Sequence, residues 1–152
     1  MKIEVDISGN MKFVYRNSVM AFSTKDGKIK NTVLLNKKLK RWIIIKYKSR
    51  IKNIKEQLHC IMIFYCIKDH IDKISEMKIC PDISPYKMNQ YLRLYLPEDY
   101  FHKIRKRIVP VTHESLAHKI AYRTYKRREK PSLILTKDMI LELLLKKVKA
   151  DQ

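Results

Sequence analysis

The fold is decided by residues 2–35, which read KIEVDISGNMKFVYRNSVMAFSTKDGKIKNTVLL. Apolar and acidic side chains alternate over residues 2–7, and this period of two predicts a first β-strand. Residues 11–22 are rich in β-forming side chains and predict a second strand. An Asp-Gly pair at residues 26–27 favours a tight hairpin turn, after which residues 29–35 predict a third strand. The chain is therefore predicted to open with a three-stranded antiparallel meander.

Helical and strand patterns alternate over the rest of the chain. Residues 51–71 have apolar side chains at helical spacing and predict a long, largely buried helix. Residues 42–47 fit either a short strand or the start of a helix, and residues 85–96 are equally ambiguous. Further strands are predicted at residues 76–80, 108–111 and 132–135. A short helix is predicted to begin at Pro97. Two further helices are predicted over residues 113–126, after an N-cap at Thr112, and over residues 137–148, after an N-cap at Thr136.

This order of elements predicts an α/β fold with a mixed sheet and helices on both of its faces. The length of 152 residues fits one domain, so we expect residues 1–152 to form a single unit. Residues 131–152 are predicted to add a C-terminal strand and helix to that unit.

The charge of the chain indicates a polyanionic partner. Lysine and arginine total 34 against 15 acids, a net charge of +19. Such a surface attracts nucleic acid, and the release of condensed counterions supplies much of the binding free energy. The alternative is a lysine-rich proteome, such as that of a thermophile, in which lysines only confer solubility. Thermophile surfaces usually add glutamate as well, so the one-sided excess favours nucleic acid.

The cysteine pattern predicts a reducing, cytoplasmic location. Cys60, Cys66 and Cys80 are odd in number and lack the spacing of a zinc or redox motif. Residues 60–67 form the longest apolar run, which is far too short to span a bilayer. No membrane association is therefore expected.

Four acids lie at positions typical of a known nuclease fold. They are Asp6 in KIEVDISGN, Glu56 in KNIKEQLHCIMIFYCI, Asp82 in EMKICPDISPY and Glu114 in THESLAHKIAY. Over about residues 1–125 the chain resembles the ribonuclease H-like superfamily, which includes ribonucleases H, transposases and retroviral integrases. In that fold the acids lie on the first strand of a meander, in the following helix, at the end of the fourth strand and on a later helix.

The resemblance implies that Asp6, Glu56, Asp82 and Glu114 are catalytic residues that hold Mg²⁺ or Mn²⁺ and cleave a phosphodiester. Such ions activate a water molecule and stabilise the leaving oxygen. The glycine-rich stretch that follows the first Asp in bacterial-type members is reduced here to Ser8-Gly9, and Asn53 alone matches the Asn that often precedes the helical Glu. A non-catalytic nucleic-acid-binding module on the same fold and a basic structural or interaction protein therefore remain as alternatives.

Clusters of basic residues are the predicted nucleic-acid contacts. The side chains expected to bind phosphates are Lys52, Lys55, Lys103, Arg105, Arg107, Arg123, Lys126, Arg127 and Arg128. His113 is a candidate proton carrier or a plain surface residue. A zinc site at His113 and His118 is a poor interpretation because the two are five residues apart with no cysteine pair. The pattern does not distinguish DNA, RNA, hybrid or junction substrates.

Overall fold

The computed structural model describes residues 1–146, which form six β-strands and six α-helices. The strands are β1 (Lys2–Ser8), β2 (Ser18–Thr24), β3 (Lys30–Leu35), β4 (Glu76–Ile79), β5 (Arg105–Ile108) and β6 (Leu133–Ile134). The helices are α1 (Lys37–Tyr47), α2 (Ile54–Ile67), α3 (Pro85–Tyr95), α4 (Glu98–Lys103), α5 (Leu116–Tyr125) and α6 (Lys137–Leu144). A 3-10 helix, Lys68–Lys73, follows α2.

The strands form one mixed sheet in the order β5-β4-β1-β2-β3-β6. Antiparallel pairing of β1 with β2 and of β2 with β3 confirms the predicted meander. Strand β4 is parallel to β1, and β5 is parallel to β4. Strand β6 is parallel to β3, so residues 133–134 extend the same sheet. The α/β class and the mixed sheet are confirmed.

Helices cover both faces of the sheet, as predicted. Ile3, Val5 and Ile7 point from β1 into the larger core, which also contains the buried side of α2. On the opposite face, Ala21 packs against Ile120 and Ala121 of α5. Each large apolar side chain removed from water in these two layers contributes about 1.5–3 kcal/mol.

The second strand begins later than predicted. Residues 11–17 form turns, in which the amides of Phe13 and Arg16 donate to the carbonyls of Asn10 and Phe13 at 2.9 and 3.1 Å. The fully buried Lys40 of α1 donates its ammonium to the carbonyls of Phe13 at 3.1 Å and Arg16 at 2.7 Å. These carbonyls are therefore bound by α1 rather than by a neighbouring strand. The expectation of a strand over residues 11–22 is wrong for its first half.

Both ambiguous segments are helices. Helix α1 begins after Asn36, whose side chain accepts a hydrogen bond from the amide of Lys38, and its β-branched residues follow helical rather than strand spacing. Helix α3 begins after Ser84, whose hydroxyl accepts from the amide of Lys87, with Pro85 in the first turn. In each case the cap and one buried stripe outweigh strand propensity.

Two boundaries near the C-terminal half differ from the predictions, and a third is described only at its start. Strand β5 lies three residues earlier than residues 108–111, because it is an edge strand on which exposed arginines alternate with more buried side chains. Helix α5 has Ser115 at its N-cap position instead of Thr112. Helix α6 begins after the predicted cap, Thr136, and its predicted end at residue 148 lies outside the described residues.

Candidate metal centre

The register between β1 and β4 brings Asp6 beside Cys80. The amide of Cys80 donates to the carbonyl of Val5 at 3.2 Å, so the pairing continues one residue past the end of β4. The amide of Asp82 then donates to the carbonyl of Cys80 at 2.9 Å, which turns the chain back. One ligand atom each from Asp6, Cys80 and Asp82 lies within 4.8 Å of the others. We call this group the Asp-Cys-Asp centre; it could hold a metal ion.

Burial disfavours the negatively charged forms of Asp82 and Cys80 in this centre. Asp6 is only 5% exposed, and Oδ2 of Asp82 is buried with no hydrogen-bond donor among the described residues. Burial, followed by the negative charge of Asp6, raises the pKa of Asp82 to about 6. Burial also raises the pKa of the Cys80 thiol to about 11. A bound divalent ion would stabilise the deprotonated form of each group.

His118 of α5 completes the surroundings of Asp6. Its Nδ1 atom lies 2.8 Å from Oδ2 of Asp6, while Oδ1 of Asp6 accepts from the amide of Ile7 at 2.9 Å. The Nε2 atom of His118 lies 3.1 Å from Nδ1 of the exposed His113. A hydrogen-bonded path therefore runs from the buried carboxylate through two imidazoles to the protein surface.

Helix α5 places His118 beside Asp6 and has two small residues on its sheet-facing side. Ala117 and Ala121 are one turn apart and fully or almost fully buried, and Ala121 packs on Ala21 of β2. His118 lies at the flank of this stripe and comes within hydrogen-bond distance of β1.

Glu56 lies outside the Asp-Cys-Asp centre. It occupies the first turn of α2, which is the second helix after the meander because the ambiguous residues 42–47 belong to the helix α1. Its Oε1 atom lies 3.5 Å from Nζ of Lys87 on α3. This ion pair gives Glu56 a partner of its own, and its role as a metal ligand stays a prediction.

Glu114 is also outside the centre. It is exposed, immediately precedes the N-cap residue Ser115, and lines a separate cavity of about 290 Å³ together with Glu4 and Lys25. The structure thus brings together Asp6 and Asp82 of the four predicted acids and leaves the other two apart. The role of Glu114 likewise stays a prediction.

Cys80 and His118 were not predicted as part of this site. The signal for Cys80 was its position directly after a strand that lies beside β1. The signal for His118 was its place next to the small residues of α5, one helical turn after Glu114. Neither residue can be assigned to the site until the positions of β4 and α5 beside β1 are known.

The predicted nucleic-acid contacts lie in three separate regions. Lys52 and Lys55 are at the start of α2, Lys103 ends α4, and the exposed Arg105 and Arg107 lie on β5. Arg105 and Arg107 are 3.9 and 3.8 Å from Glu76, which neutralises part of their charge. The third group surrounds the end of α5 and comprises Arg123, Lys126, Arg127 and Arg128.

Comparisons with protein-family models, curated proteins and solved structures find no match to this chain. Over residues 1–146, none of the helices combines the length and the apolar character needed to cross a membrane.

Proposed function

We propose that this protein is a ribonuclease H-like, divalent-metal-dependent nuclease. The observation that carries the proposal is the meeting of Asp6, from the first strand of the meander, with Asp82, from the segment directly after β4. Their positions along the chain are 76 residues apart, yet their carboxylates share one site with Cys80. These are two of the four positions that the resemblance to the superfamily assigns to metal ligands.

The donor set fits Mn²⁺ better than Mg²⁺. Carboxylate oxygens suit both ions, whereas a thiolate is a softer ligand than Mg²⁺ favours. Asp6, Asp82 and Cys80 would hold the ion. When bound, a divalent ion would supply a Lewis acid and an activated water molecule for phosphodiester hydrolysis.

The chain's own residues prepare the site. His118 fixes the orientation of the Asp6 carboxylate through the contact between Nδ1 and Oδ2. The imidazoles of His118 and His113 can carry a proton between Asp6 and the surface. The net charge of +19 attracts the phosphate backbone, and the separate basic regions bind it by counterion release.

A cleavage assay tests the proposal. Labelled DNA, RNA, hybrid and junction substrates are incubated with the wild type and with Asp6→Asn in Mn²⁺, in Mg²⁺ and in EDTA. Asp138→Asn is the matched control, since Asp138 is exposed in the first turn of α6. We expect Mn²⁺-dependent cleavage that is lost in Asp6→Asn and unchanged in Asp138→Asn.

A non-catalytic nucleic-acid-binding module is the second candidate. The position of Glu56 and Glu114 outside the Asp-Cys-Asp centre favours it, because two-metal hydrolysis requires several carboxylates around the ions. Salt-dependent binding of nucleic acid with no cleavage of any substrate would support this candidate. Absence of both binding and cleavage would leave the basic structural or interaction protein.

A further inference from the structure

A groove of about 460 Å³ lies between the β1–β2 loop, residues 9–17, and the helices α1 and α2. Ile44, Ile51 and Ile54 give it an apolar lining. Tyr15 also lines it but is 73% exposed, and the neighbouring Ile45 is 68% exposed. We call this feature the Tyr15 groove. Large apolar side chains this exposed beside a groove are typical of a binding surface.

The charge of the Tyr15 groove indicates an anionic occupant. Arg41, Lys48 and Lys55 line it, and the guanidinium carbon of Arg41 lies 5.1 Å from the centre of the Tyr15 ring. Glu56 is the acid among the described lining residues, and its carboxylate already lies 3.5 Å from Lys87. Positive charges around an aromatic ring and an apolar bed are the arrangement by which proteins bind unpaired nucleotides.

The loop of residues 9–17 contributes both to the Tyr15 groove and to the surroundings of the Asp-Cys-Asp centre. The same loop contacts both, since Nδ2 of Asn10 lies 3.4 Å from Oδ1 of Asp82 while Tyr15 lines the groove. On the other side, Glu56 lines the groove and Lys87, its partner, lies five residues after Asp82. The groove and the centre are therefore linked through this loop and through the contact between α2 and α3.

The loop that presents Tyr15 is held in one conformation. Lys40 donates to the carbonyls on either side of Tyr15, those of Phe13 and Arg16, and the amide of Lys37 donates to the side chain of Asn17 at 2.8 Å. A loop that is ordered before binding loses less conformational entropy when the ligand arrives. The backbone that presents Tyr15 is thus preorganised.

We propose that the Tyr15 groove binds an unpaired nucleotide of a single-stranded segment, with Tyr15 stacking on the base and Arg41, Lys48 and Lys55 holding the adjacent phosphates. The proposal rests on the proposed nuclease function and specifies its substrate as nucleic acid with single-stranded character. Duplex DNA keeps its bases paired and stacked, so it cannot supply a base to the groove.

Fluorescence anisotropy of the full chain in EDTA tests this proposal. The probes are a fluorescein-labelled 12-mer of thymidine, a 12-base-pair duplex and a labelled 12-residue polyglutamate. The variants are Tyr15→Ala, Tyr15→Phe and Tyr122→Ala, the last being the control because Tyr122 is an exposed tyrosine among basic residues on α5. We expect Tyr15→Ala to weaken binding of the single strand about tenfold, while duplex binding changes less than twofold. Tyr15→Phe keeps the ring and should retain the single-strand affinity.

Photo-crosslinking gives a second, independent result. An oligonucleotide with 5-iodouracil should attach to the tryptic peptide of residues 13–16, which contains Tyr15. Equal effects of Tyr15→Ala on single strand and duplex, a loss confined to Tyr122→Ala, or crosslinks only outside residues 13–16 would overturn the proposal. An equal loss of polyglutamate binding would reassign the groove to acidic peptides and overturn it as well. Because these measurements use no divalent metal, their outcome is independent of whether the protein cleaves nucleic acid.

Discussion

The Nδ1 atom of His118 lies 2.8 Å from Oδ2 of Asp6, although 112 residues separate them in the sequence. This contact joins α5 to β1 on the face of the sheet that holds the Asp-Cys-Asp centre. It fixes one carboxylate of the centre while Oδ2 of Asp82 stays without a donor among the described residues. The site therefore has one oriented ligand and one that is ready to bind a cation.

Replacement of Asp82 should stabilise the metal-free protein. The pKa of Asp82 in the folded state, about 6, is above the usual 3.8, so the folded protein binds this proton more tightly than the unfolded chain does. The stabilisation that this proton gives is complete below pH 3.8 and is lost as the pH rises through 6. At pH 7.5 the folded wild type therefore carries the full free-energy cost of a buried, charged Asp82 carboxylate. We expect Asp82→Asn to raise the free energy of unfolding by about 1 kcal/mol at pH 7.5, after allowance for solvent screening.

Thermal unfolding in EDTA at pH 7.5 and pH 3.5 measures this effect. The gain in Tm should be present at pH 7.5 and absent at pH 3.5. Added Mn²⁺ should raise the Tm of the wild type more than that of Asp82→Asn. A lower Tm for the variant at pH 7.5 would show that Asp82 is stabilised by contacts in the folded protein rather than strained by its neighbours.

Cys80 should bind a thiophilic ion directly. Cd²⁺ bound to a thiolate gives a ligand-to-metal charge-transfer band in the ultraviolet that carboxylates alone do not give. We expect this band on titration of the wild type, and its loss in Cys80→Ser. Cys60→Ser is the matched control, because Cys60 is buried in α2 away from the centre. A band that persists in Cys80→Ser would remove the thiol from the site.

Lys40 should hold the loop that presents Tyr15. Burial, and to a smaller extent the nearby charge of Lys55, lower the pKa of Lys40 to about 8. Its ammonium is therefore mostly protonated at pH 7. Lys40→Met leaves the carbonyls of Phe13 and Arg16 without this donor, at a cost of about 1–3 kcal/mol.

Limited trypsin digestion reports on the loop, because Lys12 and Arg16 are cleavage sites within it. Cleavage there should be faster in Lys40→Met than in the wild type. Lys38→Met changes an exposed lysine of the same helix and should leave the rate unchanged. Equal digestion of all three proteins would contradict the anchoring role of Lys40.

His59 should make the protein sensitive to mild acid. It is 1% exposed, its Nδ1 atom has no hydrogen-bond partner among the described residues, and burial lowers its pKa to about 4. In the unfolded chain the His59 side chain binds a proton near pH 6.5, its ordinary pKa. The free energy of unfolding therefore has its full value above pH 6.5 and falls as the pH drops towards 4. Between pH 7.5 and 5.0 this loss is about 2 kcal/mol.

Urea unfolding at the two pH values checks this expectation. His59→Leu should lose less stability between pH 7.5 and 5.0 than the wild type, by about the same 2 kcal/mol. His102→Gln alters an exposed histidine on α4 and should keep the wild-type dependence. If His59→Leu retains the full loss, another group is responsible.

Local patterns predicted the central part of the fold. The alternation in β1 and the helical spacing of α2 are each specified by neighbouring residues, and both elements form as expected. The Asp-Gly pair does lie in the connection between β2 and β3, but that connection covers residues 25–29 and is longer than a tight turn. The parallel pairing of β4 with β1 then places Asp6 and Asp82 together. The local elements required no knowledge of distant contacts, whereas the joint role of Asp6 and Asp82 was expected from the resemblance to a known nuclease fold.

Tertiary contacts decided the parts that sequence patterns did not predict. Residues 11–17 have strand-forming side chains, but the ammonium of Lys40 binds their carbonyls. Helix α1 contains three consecutive isoleucines, yet Ile43, Ile44 and Tyr47 form one buried stripe of a helix. His118 enters the site only because α5 packs closely on β2. In each case the deciding partner lies more than twenty residues away or on another element.

Calorimetric titration with Mn²⁺ measures most directly whether Asp6 and Asp82 form one metal site. We expect the wild type and Glu114→Gln to bind the ion with similar affinity, while Asp6→Asn and Asp82→Asn each weaken binding by more than tenfold. Mn²⁺ binding that is unchanged in both aspartate variants, or absent from the wild type, would contradict the metal centre and with it the proposed nuclease.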